Sequence, residues 1–454
     1  MDLEKRAKRQ SLKIIVSEFV MVVTVIITVT VLAFVVSGYW LNADFKVERQ
    51  GMLQINSVPT GATVAVDGDS PWFQRTNTSK ILSSGKHEVV LSKEGYDTWS
   101  KTVDIKEGLL YRLNYPHLFL ENRTKESVYD TTTTTFATVS PNRKLLLLAN
   151  NTTSWTLINL DSETIKPTIV DVSKVFPSTT SLFNGEILSA SWDSANEHVL
   201  FKLQKEGSVG WVLLDVRDPS KSLDLTREFA TSFIDVKIMD HSADNLLAIR
   251  DGNLHKIDVG ARQITAVLVE GILDYDFYDS EIIYATKDQV SLLKLGQESP
   301  LVIKEIENGA RVLISKFYDD KYFYIIEGEE ITVYQKSDSQ ELMNAEIGFV
   351  PQELKIGYDG DFVSMNTGSN FATLDMESMQ ITKWQTCSDN FGWLNGYMVY
   401  AINDGELSVY DFDGLNHRTL SSNVSNHFPV VITSEKWLYY FSDDELVREW
   451  LIAR

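Results

Sequence analysis

A single cysteine, Cys387, stands in 454 residues, so no intrachain disulfide can form. A secreted domain of animal type would more often carry bridges, and their absence fits a bacterial or archaeal envelope protein better. Alone, Cys387 reads as a small buried hydrophobe rather than a nucleophile. Catalytic signatures are missing as well. There is no P-loop, no Gly-x-Gly-x-x-Gly and no Gly-x-Ser-x-Gly. The seven histidines, at 87, 117, 198, 241, 255, 417 and 427, are scattered, and His87-Glu88 lacks the second histidine of a zincin. Ser83-Ser84-Gly85-Lys86 fits Ser-x-x-Lys formally, but it lies in a tight turn and lacks the Lys-Thr-Gly partner of penicillin-binding enzymes. These absences point to a chain without enzymatic activity.

Positive charge is scarce too. The net charge is −21, and beyond the hydrophobic run described below 37 basic groups face 60 acidic ones. That balance repels a phosphate backbone and excludes nucleic acid as a partner of the large region. The exception is the first 13 residues, where Lys5, Arg6, Lys8, Arg9 and Lys13 outweigh Asp2 and Glu4. With 43% apolar and 11% aromatic residues the chain has ample material for cores, and its length suggests two to three folded units.

One long apolar run is present. Ile14 to Val36 is 23 residues, broken only by Ser17, Glu18, Thr24, Thr28, Thr30 and the small Ala33. At about 1.5 Å per residue a helix of that length spans a hydrocarbon core about 30 Å thick. Its β-branched residues disfavour a helix in water, but in lipid the unsatisfied backbone leaves a single segment no other choice. Tyr39 and Trp40 follow as an interfacial aromatic pair, and Glu18, about one turn inside, can snorkel to the headgroups. The run exceeds the roughly 7–15 apolar residues of a signal peptide, and Val-Val-Ser-Gly-Tyr is a poor cleavage site. The cationic flank precedes the run. The positive-inside rule therefore predicts a cytoplasmic tail (1–13), a transmembrane helix (14–36), a linker (37–50) and everything beyond it outside a cell membrane. The lipid bilayer is the first expected partner.

Residues 51–120 read as a small β unit. Met52 to Ile55 opens a strand, Pro59-Thr60-Gly61 supplies turn chemistry, and Ala62 to Asp67 forms a second strand closed by Asp67-Gly68. Gly85-Lys86 leads into His87 to Lys93, followed by Gly95-Tyr96. Thr98 to Ile105 then alternates, with Trp99, Thr102 or Val103, and Ile105 as core candidates. Gly108 turns the chain into Leu109 to Leu113. Through Pro59-Thr60-Gly61-Ala62, Val64-Ala65-Val66-Asp67-Gly68, Gly85-Lys86-His87-Glu88-Val89, Lys93-Glu94-Gly95-Tyr96 and Val103-Asp104-Ile105 with Gly108, the unit resembles the PEGA domain. That family is a small β-sandwich-like module of bacterial and archaeal envelope proteins. There are two departures: Thr60 replaces the family's Glu, and Asp69-Ser70-Pro71-Trp72-Phe73-Gln74-Arg75-Thr76 stands where a Gly and then Thr-Pro are usual. Trp72 and Phe73 are therefore candidate binding residues. The resemblance implies an extracytoplasmic adaptor or spacer with no catalytic chemistry.

Residues 121–454 repeat one phrase, an apolar strand, a polar turn and a second apolar strand. Taking Leu146, Leu200, Leu247, Ile283, Tyr324, Val363, Val399 and Leu438 as markers, the spacings are 54, 47, 36, 41, 39, 36 and 39. A period near 40 without helical stretches predicts a β-propeller of eight blades, or seven. Ser140-Pro141-Asn142-Arg143-Lys144 resembles the Ser-Pro-Asp-Gly-Lys turn of WD40-like and TolB-type propellers. The last copy ends after about three strands, and Ser127-Val128-Tyr129 is placed to supply the fourth, which would remove an open edge.

Asp404-Gly405-Glu406, Asp411-Phe412-Asp413-Gly414 and Asp319-Asp320 carry ligand types suited to a structural Ca²⁺ but lack the EF-hand spacing. They read first as turn residues, and no cofactor or metal is expected. Trp192, Trp211, Trp384, Trp393 and Trp437 are candidates for stacking on sugars at a propeller mouth, against the plainer role of core packing.

The combined expectation is an all-β ectodomain, a PEGA-like β-sandwich plus a propeller, behind one N-terminal transmembrane helix. Its ring would bind an envelope protein. A cell-wall or surface glycan held through Trp72 and Phe73 is the second reading. A propeller hydrolase or lyase is the third, since fold alone confers no function.

Overall fold

Strand-length apolar phrases separated by turn residues leave the chain little choice but sheets, and sheets dominate the structure. The computed structural model describes residues 16–30, 32–33, 39–41 and 47–452, except 71–73, 151, 177–185, 206, 240, 242, 298, 337–339, 358–359, 369 and 386–389. Two compact units divide it, residues 1–122 and 123–453.

Residues 16–30 and 32–33 are helical. Thr24, Thr28 and Thr30 each donate their hydroxyl to the carbonyl four residues back, at 2.8 Å. Their polar hydrogens are thereby satisfied within the helix. Apart from Ser17 and Glu18, the other side chains that remain outward are apolar, Phe19, Met21, Ile26 and Val29 among them. Among the described residues no helix is long and apolar enough to cross a membrane. Of the expected span, residues 14, 15, 31 and 34–36 lie outside the described residues, as does the basic tail 1–13.

In the small unit two sheets face each other. Val47–Ile55 pairs with Thr78–Ser83, with Leu110–Leu113 and with Tyr39–Leu41; Thr63–Val66, Gly85–Ser92 and Trp99–Ile105 make the second sheet. Alternation decides which side chains meet between them. Leu53, Ile55 and Leu113 come from one sheet; Val64, Val89, Leu91, Trp99, Val103 and Ile105 come from the other, all buried. Val103 fills the inward position and Thr102 faces solvent. Trp99 meets Tyr115 edge to face at 6.0 Å. Where the strands cross most closely the chain has Gly51, whose added Cβ would stand 2.5 Å from the Lys106 carbonyl oxygen.

The large unit holds eight four-stranded antiparallel sheets in chain order. The first comprises Thr134–Val139, Leu145–Asn150, Ser154–Asn159 and Pro167–Asp171; the next six lie within 186–224, 235–264, 274–305, 311–346, 353–385 and 390–421. The eighth combines Val431–Thr433, Trp437–Ser442 and Glu445–Trp450 with Lys125–Asp130, a strand from the start of the unit. Every marker of the sequence repeat falls in the second strand of a sheet.

Each core cluster is shared by neighbouring sheets. Trp155 and Phe176 of the first pack with Phe201 and Leu214 of the second. Trp211 and Leu225 pack with Leu246 and Ile257, Leu247 and Leu254 with Tyr275 and Ile282, Ile283 with Phe323, and Tyr324 with Val363 and Leu374. Phe362 of the sixth sheet stacks on Phe412 of the seventh at 4.1 Å, and Ser421 of the seventh donates to Tyr440 of the eighth at 2.9 Å. A last cluster joins Leu146 and Ile158 of the first sheet to Trp437 and Tyr439 of the eighth. Sheets that touch in sequence and also first to last form a closed ring, a β-propeller-like architecture.

The closing strand is held by charge on both of its faces. Arg123 Nε donates to the fully buried Glu449 carboxylate at 2.5 Å, and Tyr440 OH donates to the same carboxylate at 3.0 Å. One residue earlier, Arg448 pairs with Glu126, lies over the Trp437 ring at 5.0 Å, and donates to the Ser162 and Glu163 carbonyls of the first sheet.

Candidate functional site

The first strand of each sheet forms its inner edge, and an inner edge has backbone groups that no fifth strand pairs. Side chains of the preceding sheet cover them over half of the ring. Lys237 donates to the Tyr275 carbonyl at 2.5 Å. The Val312 and Ile314 N–H groups donate to Asp274 and Asp276, both at 3.0 Å. Arg311 donates to the Gln352 carbonyl at 2.6 Å. This half, from the third sheet to the sixth, is charged throughout. Burial pushes the Asp274 and Asp276 carboxyls above the usual carboxylate range, with Lys237 pulling against it.

The opposite side, from the sixth sheet round to the first, borders an open cavity of 270 Å³ whose lining is mostly apolar but includes Arg143 and Lys355. Val139 and the turn residue Arg143 come from the first sheet. Lys355 and Ile356 come from the sixth, Phe391 to Leu394 and Tyr400 from the seventh, and Pro429 to Val431 lead into the eighth. Only the inner edges of a ring can bring its first and sixth sheets together. A direct contact marks the same place: Arg143 Nη1 donates to the Leu394 carbonyl at 3.3 Å, spanning from the first sheet to the seventh past the eighth.

Local sequence explains the arrangement. Ser140 Oγ accepts from the Leu145 N–H at 3.0 Å, and Asn142 Oδ1 accepts from the Lys144 N–H at 3.0 Å, which tightens the turn. Arg143 occupies the left-handed position at φ 59°, a conformation that glycine adopts most readily. An arginine there costs roughly 1 kcal/mol of backbone strain. The same turn recurs in the second sheet without the same residues, closed by Asp193 with Asn196 at φ 62°. Behind the cavity, Gly392 lies directly across from Tyr400, whose ring would stand 3.1 Å from an added Cβ. Trp393 is buried, its Nε1 donating to Ser364 at 3.0 Å. Val430 and Val431 are buried beside it. Lys355 lies 2.6 Å from Glu353.

The residues singled out from sequence are dispersed. Trp72, Phe73 and Cys387 lie outside the described residues. Pro59, Gly61, Gly68, Gly85 and Gly95 mark turns of the small unit, with Ala62 and Tyr96 buried beneath them. Asp67 and Gly68, both at positive φ, close a tight hairpin. Asp67 also accepts from the Glu88 N–H at 2.9 Å and lies 2.6 Å from His87 Nδ1. His117 and His255 are buried against backbone carbonyls, and His198 sits 2.7 Å from Asp193.

Acids at the sheet turns hold backbone. Asp320 accepts from the Lys321 N–H and Asp413 from the Leu415 N–H. Among the described residues no group of three or more metal-ligating side chains comes together. Of the five tryptophans considered, Trp393 lines the cavity, whereas Trp211 and Trp384 bond to backbone carbonyls, Trp192 to Thr138, and Trp437 packs on Trp450. Sequence reasoning did not find the cavity, because its walls come from four separate sheets. The visible trace was an arginine in a turn position that favours glycine.

No curated protein matches the chain. Among solved structures, the computationally designed Ika8 protein is similar, with a TM-score of 0.44 and 12% identity over 72% of this chain and 98% of that one. Hsv2 of Kluyveromyces lactis is similar with a TM-score of 0.43 and 10% identity over 64% and 99%. At the level of families, residues 50–117 match the PEGA domain.

Proposed function

We propose that this chain is a single-pass, membrane-anchored envelope protein without catalytic activity, in which the PEGA unit is an adaptor and the ring binds another protein. The observation that carries this reading is the order of parts: an apolar helix with internally satisfied threonines, a PEGA match at 50–117, and a closed ring of eight sheets. A helix of apolar side chains exposed to water is costly, and a bilayer removes that cost. The basic tail directs residues 1–13 to the cytoplasm and the rest outward. The recurring turn at Ser140 and Asp193 supports kinship with WD40-like and TolB-type propellers.

The test is capture from solubilised envelope with the full chain as bait, with and without prior digestion of the wall. A protein partner that survives digestion is expected. Capture that vanishes with the glycan, together with loss of wall retention in Trp72→Ala, would replace this reading by glycan binding. A chain that stays in the soluble fraction after lysis would remove the anchor.

A further inference from the structure

Alternation along the strands of the small unit turns one face of its first sheet away from the core. Three strands lie side by side there. Their register sets Ile81 of Thr78–Ser83 directly across from Met52 of Val47–Ile55, and Met52 across from Leu110 of Leu110–Leu113. The row is apolar from strand to strand and open to solvent: Ile81 is 52% exposed, Met52 42% and Leu110 39%. Leu109, 58% exposed, extends it, its carbonyl accepting from the Met52 N–H at 2.9 Å. Polar side chains border the row, Gln50 with Ser83 on one side, Gln54 with Ser79 and Arg112 on the other. Single exposed apolar residues are ordinary on a protein surface, whereas four in one unbroken row mark a contact.

The same sheet is tied closely to the apolar run. Its strand Tyr39–Leu41 begins three residues after Val36, the last of that run, a step of about 10 Å for an extended chain. Tyr39 pairs with Arg49, and Met52 lies three residues further along that strand, about another 10 Å. The row is thus held within roughly 20 Å of the end of the run. With the run in a bilayer, whose headgroup layer alone takes up about 5–8 Å on each side, the sheet stays beside that layer. A stable protein contact engages about 20–30 residues a side, more than four apolar side chains furnish, whereas a lipid surface needs no matching shape.

We propose that this face of the small unit rests on the membrane surface, with Ile81, Met52, Leu110 and Leu109 set among the lipid headgroups. The placement rests on the anchoring reading for its short tether. It goes beyond that reading by assigning which face of the small unit is turned to the lipid.

Fluorescence quenching on the full chain in phosphatidylcholine vesicles tests it. In a Cys387→Ser background, which removes the native thiol, an environment-sensitive dye is attached through one of three substitutions. These are Ile81→Cys on the row, Thr102→Cys on the solvent-facing side of the second sheet, and Ile26→Cys in the helix. Lipids spin-labelled just below the headgroup are the quencher. Residue 81 should be quenched as residue 26 is, while residue 102, on the far sheet about 10 Å or more away, should keep its emission. Met52→Glu with Leu110→Glu should abolish quenching at residue 81 and leave that at residue 26 unchanged. Quenching at 26 without quenching at 81 would leave the anchor standing and overturn the proposal. Neither being quenched would remove the anchor and the proposal together. Quenching at 81 without quenching at 26 would keep this face on the lipid and remove the anchor. Equal quenching at 81 and 102, or quenching at 81 untouched by the double variant, would show that no particular face is turned to the membrane and overturn the proposal. A blue shift at 81 without quenching would assign the row to a protein, a second copy included, and overturn it as well.

Discussion

His87 and Asp67 stand 20 positions apart in sequence and 2.6 Å apart in space, Asp67 in the turn after Thr63–Val66 and His87 on the strand Gly85–Ser92 that pairs with it. Burial pulls the His87 imidazole down, but its hydrogen bonds to Asp67 and to the Ser83 carbonyl outweigh that and leave it above the ordinary 6.5. The same bond holds the Asp67 carboxyl below its ordinary value. A histidine raised by folding stabilises fully below pH 6.5, and that contribution is lost as pH rises through the folded value. Asp67→Asn should bring the His87 titration midpoint down, below 6.5 if burial then dominates, as read by NMR of the labelled imidazole in the full chain. An unchanged midpoint would mean that the pair does not form.

Gly51 makes a sharper residue-scale case. Its added Cβ would meet backbone at 2.5 Å, and backbone cannot swing aside as a side chain can. Gly51→Ala should cost at least as much as ordinary overpacking, about 1–3 kcal/mol, in a denaturant titration of the small unit's transition. The turn residues of this unit were legible in sequence, because Pro59, Gly61 and Asp67-Gly68 act over two or three neighbours. The roles of His87 and Gly51 were not, because each depends on a partner distant along the chain.

At the scale of elements, legibility follows burial. Second and third strands of the sheets have neighbours on both faces and read as unbroken apolar runs such as Leu145 to Ala149 or Phe323 to Ile326; these gave the repeat its period. Outer strands such as Leu301–Glu305 and Gln340–Glu346 are largely exposed and carry little pattern. The inner strands of the third to fifth sheets mix charge with apolar residues, since they cap the backbone of the next sheet as well as pack, whereas Thr134–Val139, Asn390–Trp393 and Val431–Thr433 carry no charge.

The closing strand has the most to lose from a single change. Arg123→Ala would leave the fully buried Glu449 with Tyr440 and, at 3.8 Å, Lys125. Stranding a buried charge costs about 3–5 kcal/mol, and Lys125 should keep the loss towards the lower end. Urea titration of the ring's transition measures it. The double variant Arg123→Met with Glu449→Leu should recover much of the loss, since it removes both charges. Failure of the double variant to recover would show that packing rather than charge fixes the strand.

For the whole molecule, the chain order of parts was readable because each is built from local signals: a long apolar run, punctuated turns, and a period near 40. What the period could not supply was which sheets face each other across the ring, and so the cavity beside Arg143 was invisible until eight inner edges were placed together. Ring closure has a mechanical consequence. The polypeptide enters the ring at Lys125–Asp130, the strand that seals the eighth sheet, so tension pulling the N-terminal segment away from anything held by the ring arrives first at that seam. Five paired positions, backed by Arg123 with Glu449 and Arg448 with Glu126, join that strand to its neighbour. The seam is thus the first clasp that such a load meets.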